Sequence, residues 1–246
     1  MSDAEMQYRS VPPYTRSSDI YDTLMADVDY PGWCEYILDL AEIFSFGTRS
    51  VYDLSCGTGT FLHLFPAAEK AGIDLSGPMI EIARKRHPEL DVSIGNMLNP
   101  PPKRMDIYLN IHDALNYISH FGAVIEHVRY MDKILRPGQV YLFDFALAGV
   151  IKAYFTDTSF EDTTPDGISF KRSNTYDNEK QRAYTDLYMY FPNGSAFHER
   201  HIQYIYDYDQ IVKLSVEFPS RNFIFLEEFS IDEAHKASNR MLIIMR

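Results

Sequence analysis

Residues Val51-Tyr52-Asp53-Leu54-Ser55-Cys56-Gly57-Thr58-Gly59-Thr60 run from an apolar, strand-like segment through two glycines into a helix-forming stretch. Glycines at such a turn let the backbone come close to a ligand, and an acid closing the next strand can hold ribose hydroxyls. Asp74 stands at that strand end, about 20 residues beyond Asp53. The pattern points to a nucleoside, against the plainer alternative of a tight strand-to-helix turn. A dinucleotide fingerprint would need Gly or Ala where Leu62 stands, and the phosphate-binding GxxxxGK[ST] sequence does not occur.

The elements that must position these residues follow a strand, turn, helix rhythm. Strand-like runs fall at Ser50–Leu54, Ala71–Leu75, Asp91–Ile94, Met105–Asn110 and Gln139–Phe145. Helices are expected from about Thr60, from Ser76-Gly77-Pro78 to near His87, and over Phe121–Leu135 before Pro137-Gly138. Ahead of them, Ser18 or Asp19 caps a short helix, and Pro31 opens a second that runs to about Phe44. This alternation argues for a doubly wound α/β sheet covered by helices on both faces. Near residue 150 the rhythm changes to an antiparallel meander, with turns at Asp166-Gly167, Asp177-Asn178 and Asn193-Gly194. A helix over about 207–218 and strands at Asn222–Phe229 and Arg240–Met245 then complete the sheet at seven strands. The organisation read is therefore an arm and helices at 1–45, a core at 46–150, an antiparallel β insertion at 151–206 and a return to the core at 207–246. The polar, proline-interrupted segment 1–18 is the loose part of the arm.

Composition narrows the function. The chain has 246 residues, 46% of them apolar and 24% charged, as in an ordinary folded protein. Two cysteines, Cys34 and Cys56, are too few for a disulfide framework and fit a reducing, cytoplasmic setting. No run approaches the ~18 apolar residues of a membrane span. A net charge of −12 disfavours a grip on nucleic-acid phosphates. What remains is an enzyme acting on small molecules, without a nucleic-acid or membrane partner.

DLSCGTGT, GIDLSGPMIEIAR, GNM, MDIYLNIHDALNYI and LRPGQVYLFDF, in this order, resemble the motif series of class I S-adenosylmethionine-dependent methyltransferases. The leading IYDTLMADVDYPGW is similar to the N-terminal helices of a small-molecule branch, which includes N-methyltransferases of antibiotic aminosugars. The resemblance spans about 14–246; within the insertion only Glu199, His201 and Tyr206 carry it. It implies a Rossmann-like, doubly wound seven-stranded sheet, S-adenosylmethionine as cofactor and a small-molecule methyl acceptor. Carried onto this chain, Ser55, Cys56, Gly57 and Gly59 would form the turn under the methionine part and ribose, with Asp53 on the amino group. Asp74 would take both ribose hydroxyls, Leu75 and Met79 would pack on adenine, and Asn96 and Met97 would meet its edge. Asn110 and Ile111 would line the methionine portion, and Tyr21 and Trp33 would close over that end. Two departures stand out, Ser55 for the usual first glycine and Asn96 for the common Asp.

On the acceptor side, His112, Asp113, Asn116 and Tyr117 follow the fourth strand, at the edge where open α/β sheets bind ligands. His112, Asn116 and Tyr117 are read as facing the acceptor, with His112 the candidate base. The alternative is a helix cap at Asp113 beside a surface histidine. Glu199 and His201 are two apart on a strand, hence on one face, and would cover the acceptor unless that face is solvated. Tyr14 is read as part of a lid. A metal at His198, Glu199 and His201 would lack a further ligand, so no metal is expected. The tyrosines at 184, 188, 190, 204, 206 and 208 are read as core or homodimer contacts. The function that these residues imply is methyl transfer from S-adenosylmethionine to a nitrogen, less readily an oxygen, of a small molecule. Its rivals are a noncatalytic adenosyl-nucleoside-binding scaffold and an NAD-dependent oxidoreductase.

Overall fold

The computed structural model of the chain describes residues 7–246, without the side chain of Tyr154. Of the arm read at 1–18, residues 1–6 thus lie outside the described residues. The chain opens with a two-residue strand, β1 (Arg9–Ser10), then a 3-10 turn (Ser17–Ile20), α1 (Tyr21–Leu24) and α2 (Tyr30–Phe44). Asp29 caps α2 by accepting the Gly32 N–H at 2.9 Å, with Pro31 in the first turn. The alternation then runs β2 (Ser50–Asp53), α3 (Thr60–Leu64), β3 (Glu69–Asp74), α4 (Gly77–Arg86), β4 (Asp91–Ile94), β5 (Ile107–Asn110), α5 (Phe121–Ile134) and β6 (Val140–Ala146). After α6 (Ala148–Tyr154) come four strands, β7 (Thr158–Thr163), β8 (Ser169–Asp177), β9 (Arg182–Tyr190) and β10 (Ala196–Tyr204). The chain ends with α7 (Tyr208–Val212), α8 (Leu214–Glu217), β11 (Phe223–Glu227) and β12 (Arg240–Met245).

Seven strands form one sheet in the order β11-β12-β6-β5-β2-β3-β4. Strands β6, β5, β2, β3 and β4 are mutually parallel; β12 runs antiparallel to both its neighbours, β6 and β11, so β11 points the same way as the parallel set. This is the doubly wound seven-stranded α/β sheet expected from the rhythm. Alternation along the strands divides the core: Tyr52 and Tyr108 pack with α5 on one face, Val51 and Leu109 with α2 and α3 on the other. All seven residues of β6 are buried, as a strand covered on both sides requires. The helix expected over 207–218 is split in two. Asp207 and Gln210 form a capping box that starts α7, and α8 begins after Lys213.

The other sheet has the order β1-β10-β9-β8-β7. Its meander is antiparallel, but the arm strand β1 joins β10 in parallel, pairing Arg9 with Phe197. Ile20 of the arm packs into its apolar face against Phe170, Leu187 and Met189. The tyrosines of this region divide: Tyr206 is core, Tyr188 stacks on His198, and Tyr190 is exposed.

One partly buried ion cluster, closed around the fully buried Asp144, ties β12 to the end of β6 and the loop after β5. Arg240, at the start of β12, lies 2.6 Å from Asp113, 3.2 Å from Asp144 of β6 and 2.8 Å from Glu228. Burial works against the guanidinium, yet the three carboxylates raise its pKa further than burial lowers it. Breaking a buried pair by removing one partner typically costs about 3–5 kcal/mol. Arg240→Met is therefore expected to lower stability by about 3–5 kcal/mol in urea denaturation. A loss below about 1 kcal/mol would mean that these carboxylates do not depend on it.

Candidate functional site

The order of the sheet reverses between β2 and β5, and ligands of open α/β sheets bind beyond the strand ends at such a point. There the chain leaves β2 at Asp53, whose buried Oδ1 accepts the Ser55 N–H at 3.0 Å. Gly57 follows at φ 52° and Gly59 at φ 80°, left-handed values that glycine takes without strain. The Gly57 N–H donates to Asp74 Oδ2 at 2.9 Å, and the Ser76 N–H to Asp74 Oδ1 at 2.8 Å. Asp74 thus links the turn to the start of α4 while each oxygen keeps a second lone pair. The turn also lies flat on β3. A Cβ on Gly72 would come within 2.8 Å of Cys56, so only glycine fits beneath it. From above, Asp22 of α1 accepts the Thr58 hydroxyl at 3.2 Å and pairs with Arg86 of α4.

A cavity of about 530 Å³ opens over this turn. Of the residues read for the nucleoside side, Tyr21, Asp53, Ser55, Cys56, Gly57, Asp74, Leu75, Met79, Asn96, Met97 and Ile111 line it. Tyr14, His112 and Tyr117 line its other part. The remaining candidates stand behind. Trp33 is buried beneath His112, with ring centroids 5.0 Å apart, and Gly59 caps α3 against Leu90. Asn110 donates to Ser55 Oγ at 3.1 Å and accepts from Tyr141 at 2.8 Å, so it braces the turn from below. Asn116 spends its amide on the Ala146 and Tyr204 carbonyls and the Ala146 N–H, an entirely backbone set of partners. Asn96 has its side-chain oxygen on the Leu98 N–H at 2.9 Å and keeps one lone pair.

Glu199 and His201 form the layer behind Tyr14 and Tyr117. They share one face of β10, and that face is buried under the arm: Glu199 is 0% and His201 8% exposed. Glu199 accepts the backbone N–H groups of Tyr14, Arg16 and Ser17 and the Ser17 hydroxyl. His201 reaches Glu199 through Nε2 at 3.3 Å and the Tyr117 hydroxyl through Nδ1 at 3.0 Å. Tyr117 and Tyr14 are joined at 2.6 Å. Tyr14 itself sits at φ 60°, held by Glu199 on its N–H and by the Ser76 hydroxyl on its carbonyl.

The loop carrying His112 is equally fixed. His112 and Asp113 both take left-handed conformations, and Asp144 accepts both of their N–H groups, at 3.0 and 2.6 Å. Burial, with Arg240 beside it, pushes the His112 imidazole down to about 4, and its Nε2 has no partner within the protein. Burial alone would raise Asp113, but Arg240 and Gln203 hold it below the usual carboxylate range. Asp53 is pushed up to about 7 by burial, against the help of the Ser55 N–H.

Several contributors escape a reading of motifs. Pro12, Pro13 and Thr15 of the arm and Tyr30 of α2 line the cavity without a local signature. Asp144 and Arg240 set the His112 loop; an acid inside the apolar run VYLFDF was the one available sign. Away from the cavity, His63 stacks on His87 and pairs with Glu89 at 2.6 Å.

Comparison with known proteins agrees with this architecture. Residues 51–138 match a family described as "Methyltransferase domain". The putative methyltransferase YqeM of Bacillus subtilis is 26% identical over 216 residues, covering 81% of this chain and 84% of that one. A dTDP-3-amino-3,4,6-trideoxy-alpha-D-glucopyranose N,N-dimethyltransferase of Streptomyces venezuelae is 36% identical over 132 residues, 52% of this chain and 56% of that protein. In fold, the chain is similar to an S-adenosylmethionine-dependent methyltransferase from Clostridium acetobutylicum, with a TM-score of 0.77 at 20% identity over 93% of this chain and 96% of that one.

The buried Asp53 yields a stability test. Its folded pKa, about 7, exceeds the unfolded value of about 3.9. Between these values the folded state holds a proton that the unfolded state has lost. Its contribution is therefore fully present below pH 4, shrinks as pH rises, and is gone above pH 7. Asp53→Asn removes this dependence. In urea denaturation it should stabilise the ligand-free chain by about 1–3 kcal/mol at pH 8 and by almost nothing at pH 4. Destabilisation at pH 8 would contradict the raised pKa.

Proposed function

We propose that the chain is a class I S-adenosylmethionine-dependent methyltransferase whose acceptor is a nitrogen of a small molecule, held between the strand ends and the N-terminal arm. The observation that carries this reading is the make-up of the cavity. One part joins the glycine turn to Asp74, and the other is lined by tyrosines and a neutral imidazole, with no Lys or Arg among the described lining residues. The S. venezuelae relative acts on an amino sugar, which supports nitrogen in preference to oxygen.

The residues present fit the cofactor. The free lone pairs of Asp74 would take the two ribose hydroxyls, and Asp53 would meet the cationic amino group directly or through water. Leu75, Met79 and Met97 would flank adenine, with Asn96 at its edge. Leu75 is 74% exposed and lines the cavity, where a bound ring would cover it. Ser55 and Asn110 would support the methionine portion, with Tyr21 above and Trp33 behind. The cofactor supplies an already activated methyl group on a cationic sulfur. The protein's part is alignment, exclusion of water and removal of a proton from the acceptor. His112, held near 4, is too weak a base to deprotonate an amine at neutral pH, so we assign it with Tyr117 to lining the acceptor. In this reading 46–150 and 207–246 hold the cofactor, 151–206 covers the acceptor, and 1–45 closes the site. Cys34 and Cys56, both buried free thiols, support a reducing compartment such as the cytoplasm. Among the described residues no helix is long and apolar enough to cross a membrane.

Calorimetric titration with S-adenosylmethionine, S-adenosylhomocysteine and NAD tests the reading. Micromolar binding of the two adenosyl ligands alone is expected, weakened at least about 100-fold by Asp74→Ala, equivalent to about 2.7 kcal/mol. A panel of dTDP-linked aminodeoxy sugars and simple amines should then yield methylated product. NAD binding in place of the adenosyl ligands would overturn the cofactor, and adenosyl binding with hydroxyl acceptors alone turning over would overturn nitrogen.

A further inference from the structure

We propose that Glu199, His201, Tyr117 and Tyr14 form a directed proton relay that ends at the acceptor amine, with Tyr14 as the group that touches it. This rests on the methyltransferase reading above and adds the route by which an ammonium acceptor becomes a nucleophile.

The direction of every hydrogen bond follows from one end. Glu199 is fully buried and accepts four donors from the arm besides His201, an environment that only a carboxylate acceptor satisfies. Burial alone would raise its pKa, but His201, Ser17 and the arm amides outweigh it and keep the group ionised. His201 must therefore donate through Nε2, which leaves Nδ1 bare in the neutral ring. A bare Nδ1 at 3.0 Å makes Tyr117 the donor there. Tyr117 has one proton, so in the 2.6 Å contact Tyr14 is the donor and Tyr117 the acceptor. Tyr14 then presents only lone pairs to the cavity that both tyrosines line. Such an oxygen can take a proton from an ammonium and has none of its own left to offer.

The step balances. The acceptor N–H breaks and its proton joins Tyr14 Oη, the Tyr14 proton passes to Tyr117 Oη, and the Tyr117 proton to His201 Nδ1. The amine keeps its electron pair, and the positive charge ends on His201 beside the Glu199 carboxylate. Burial and the neighbouring carboxylates keep both tyrosines neutral, so the hydroxyls pass protons together without a tyrosinate being formed. The titratable or charged groups facing the relay are Asp74 and Asp113 beside Tyr14, Tyr21 beside Tyr117, and Asp19 with Arg16 near Glu199. Anchoring the arm would need Glu199 alone. It explains neither the imidazole on the same carboxylate nor the two hydroxyls strung from it toward the cavity.

The test reads the ring nitrogens of His201 by NMR in histidine-labelled protein at pH 8, with S-adenosylhomocysteine bound, using His201→Asn to assign the signals. The expected form carries its proton on Nε2 and leaves Nδ1 bare. A proton on Nδ1 overturns the relay even if no acceptor has been found. With a dTDP-linked aminodeoxy sugar as acceptor, Tyr117→Phe should lower kcat about 10–100-fold at pH 7 with unchanged affinity for S-adenosylhomocysteine. The deficit should shrink as pH rises to 9 and the free amine becomes abundant in solution. A Tyr117→Phe enzyme as active as the original at pH 7, or equally impaired at both pH values, would also overturn the relay. Failure of S-adenosylhomocysteine to bind the original protein would instead overturn the cofactor reading on which the relay stands.

Discussion

Carboxylates taken out of water must find donors, and this protein satisfies them largely with backbone N–H groups of the loops that make its site. Asp74 takes amides from the glycine turn and from the start of α4. Asp144 takes those of His112 and Asp113, and Glu199 those of Tyr14, Arg16 and Ser17. Asp74, Asp144 and Glu199 lie on β3, β6 and β10, and each holds a loop. The positions of the cavity walls are therefore set by charge satisfaction as much as by packing. The non-glycine residues Tyr14, His112 and Asp113 take left-handed backbone, and each has its N–H on one of these carboxylates.

The same economy gives the site its electrostatic character. Asp53 lacks a cation and has a single backbone donor, and burial drives it up to about 7. Asp113 and Asp144 share Arg240, which holds Asp113 low, while burial still drives Asp144 up to about 7. Of the acids lining the cavity, Asp53 and Asp74 have no cation beside them, which leaves room for a positively charged guest. With no Lys or Arg among the described residues lining the cavity, no protein cation competes for that role. The overall charge of −12 acts in the same sense at longer range.

How much of this was legible depended on whether the determinant was local. The glycine turn, Asp74 and the Ser76 cap are each specified by neighbours a few residues away, and the doubly wound parallel sheet follows from the alternation of strands and helices. Glu199 and His201 could be assigned to one face of a strand from their spacing alone. Whether that face met water or the arm depended on Arg9 pairing with Phe197, a contact between opposite parts of the chain with no local signal. Asn116 shows the converse limit. It lies in a suggestive motif, yet its amide joins the Ala146 and Tyr204 backbones, a demand created by two strands distant in sequence. Trp33 likewise is near the site but one layer beneath it, because α2 buries that side against His112 and Phe229.

The arm illustrates how recognition and chemistry can be made interdependent. Its residues supply part of the cavity wall and, in Tyr14, the end of the hydrogen-bonded series that starts at Glu199. The carboxylate that fixes the arm is also the one that orients His201. Any displacement of residues 14–17 would leave Glu199 short of donors, which favours protonation of the acid and frees His201 to take the other tautomer. The hydroxyl order of Tyr117 and Tyr14 would then reverse, and the cavity would face a donor in place of an acceptor. Closure of the arm and readiness to accept a proton are thus one state of the protein, held by the same buried charge.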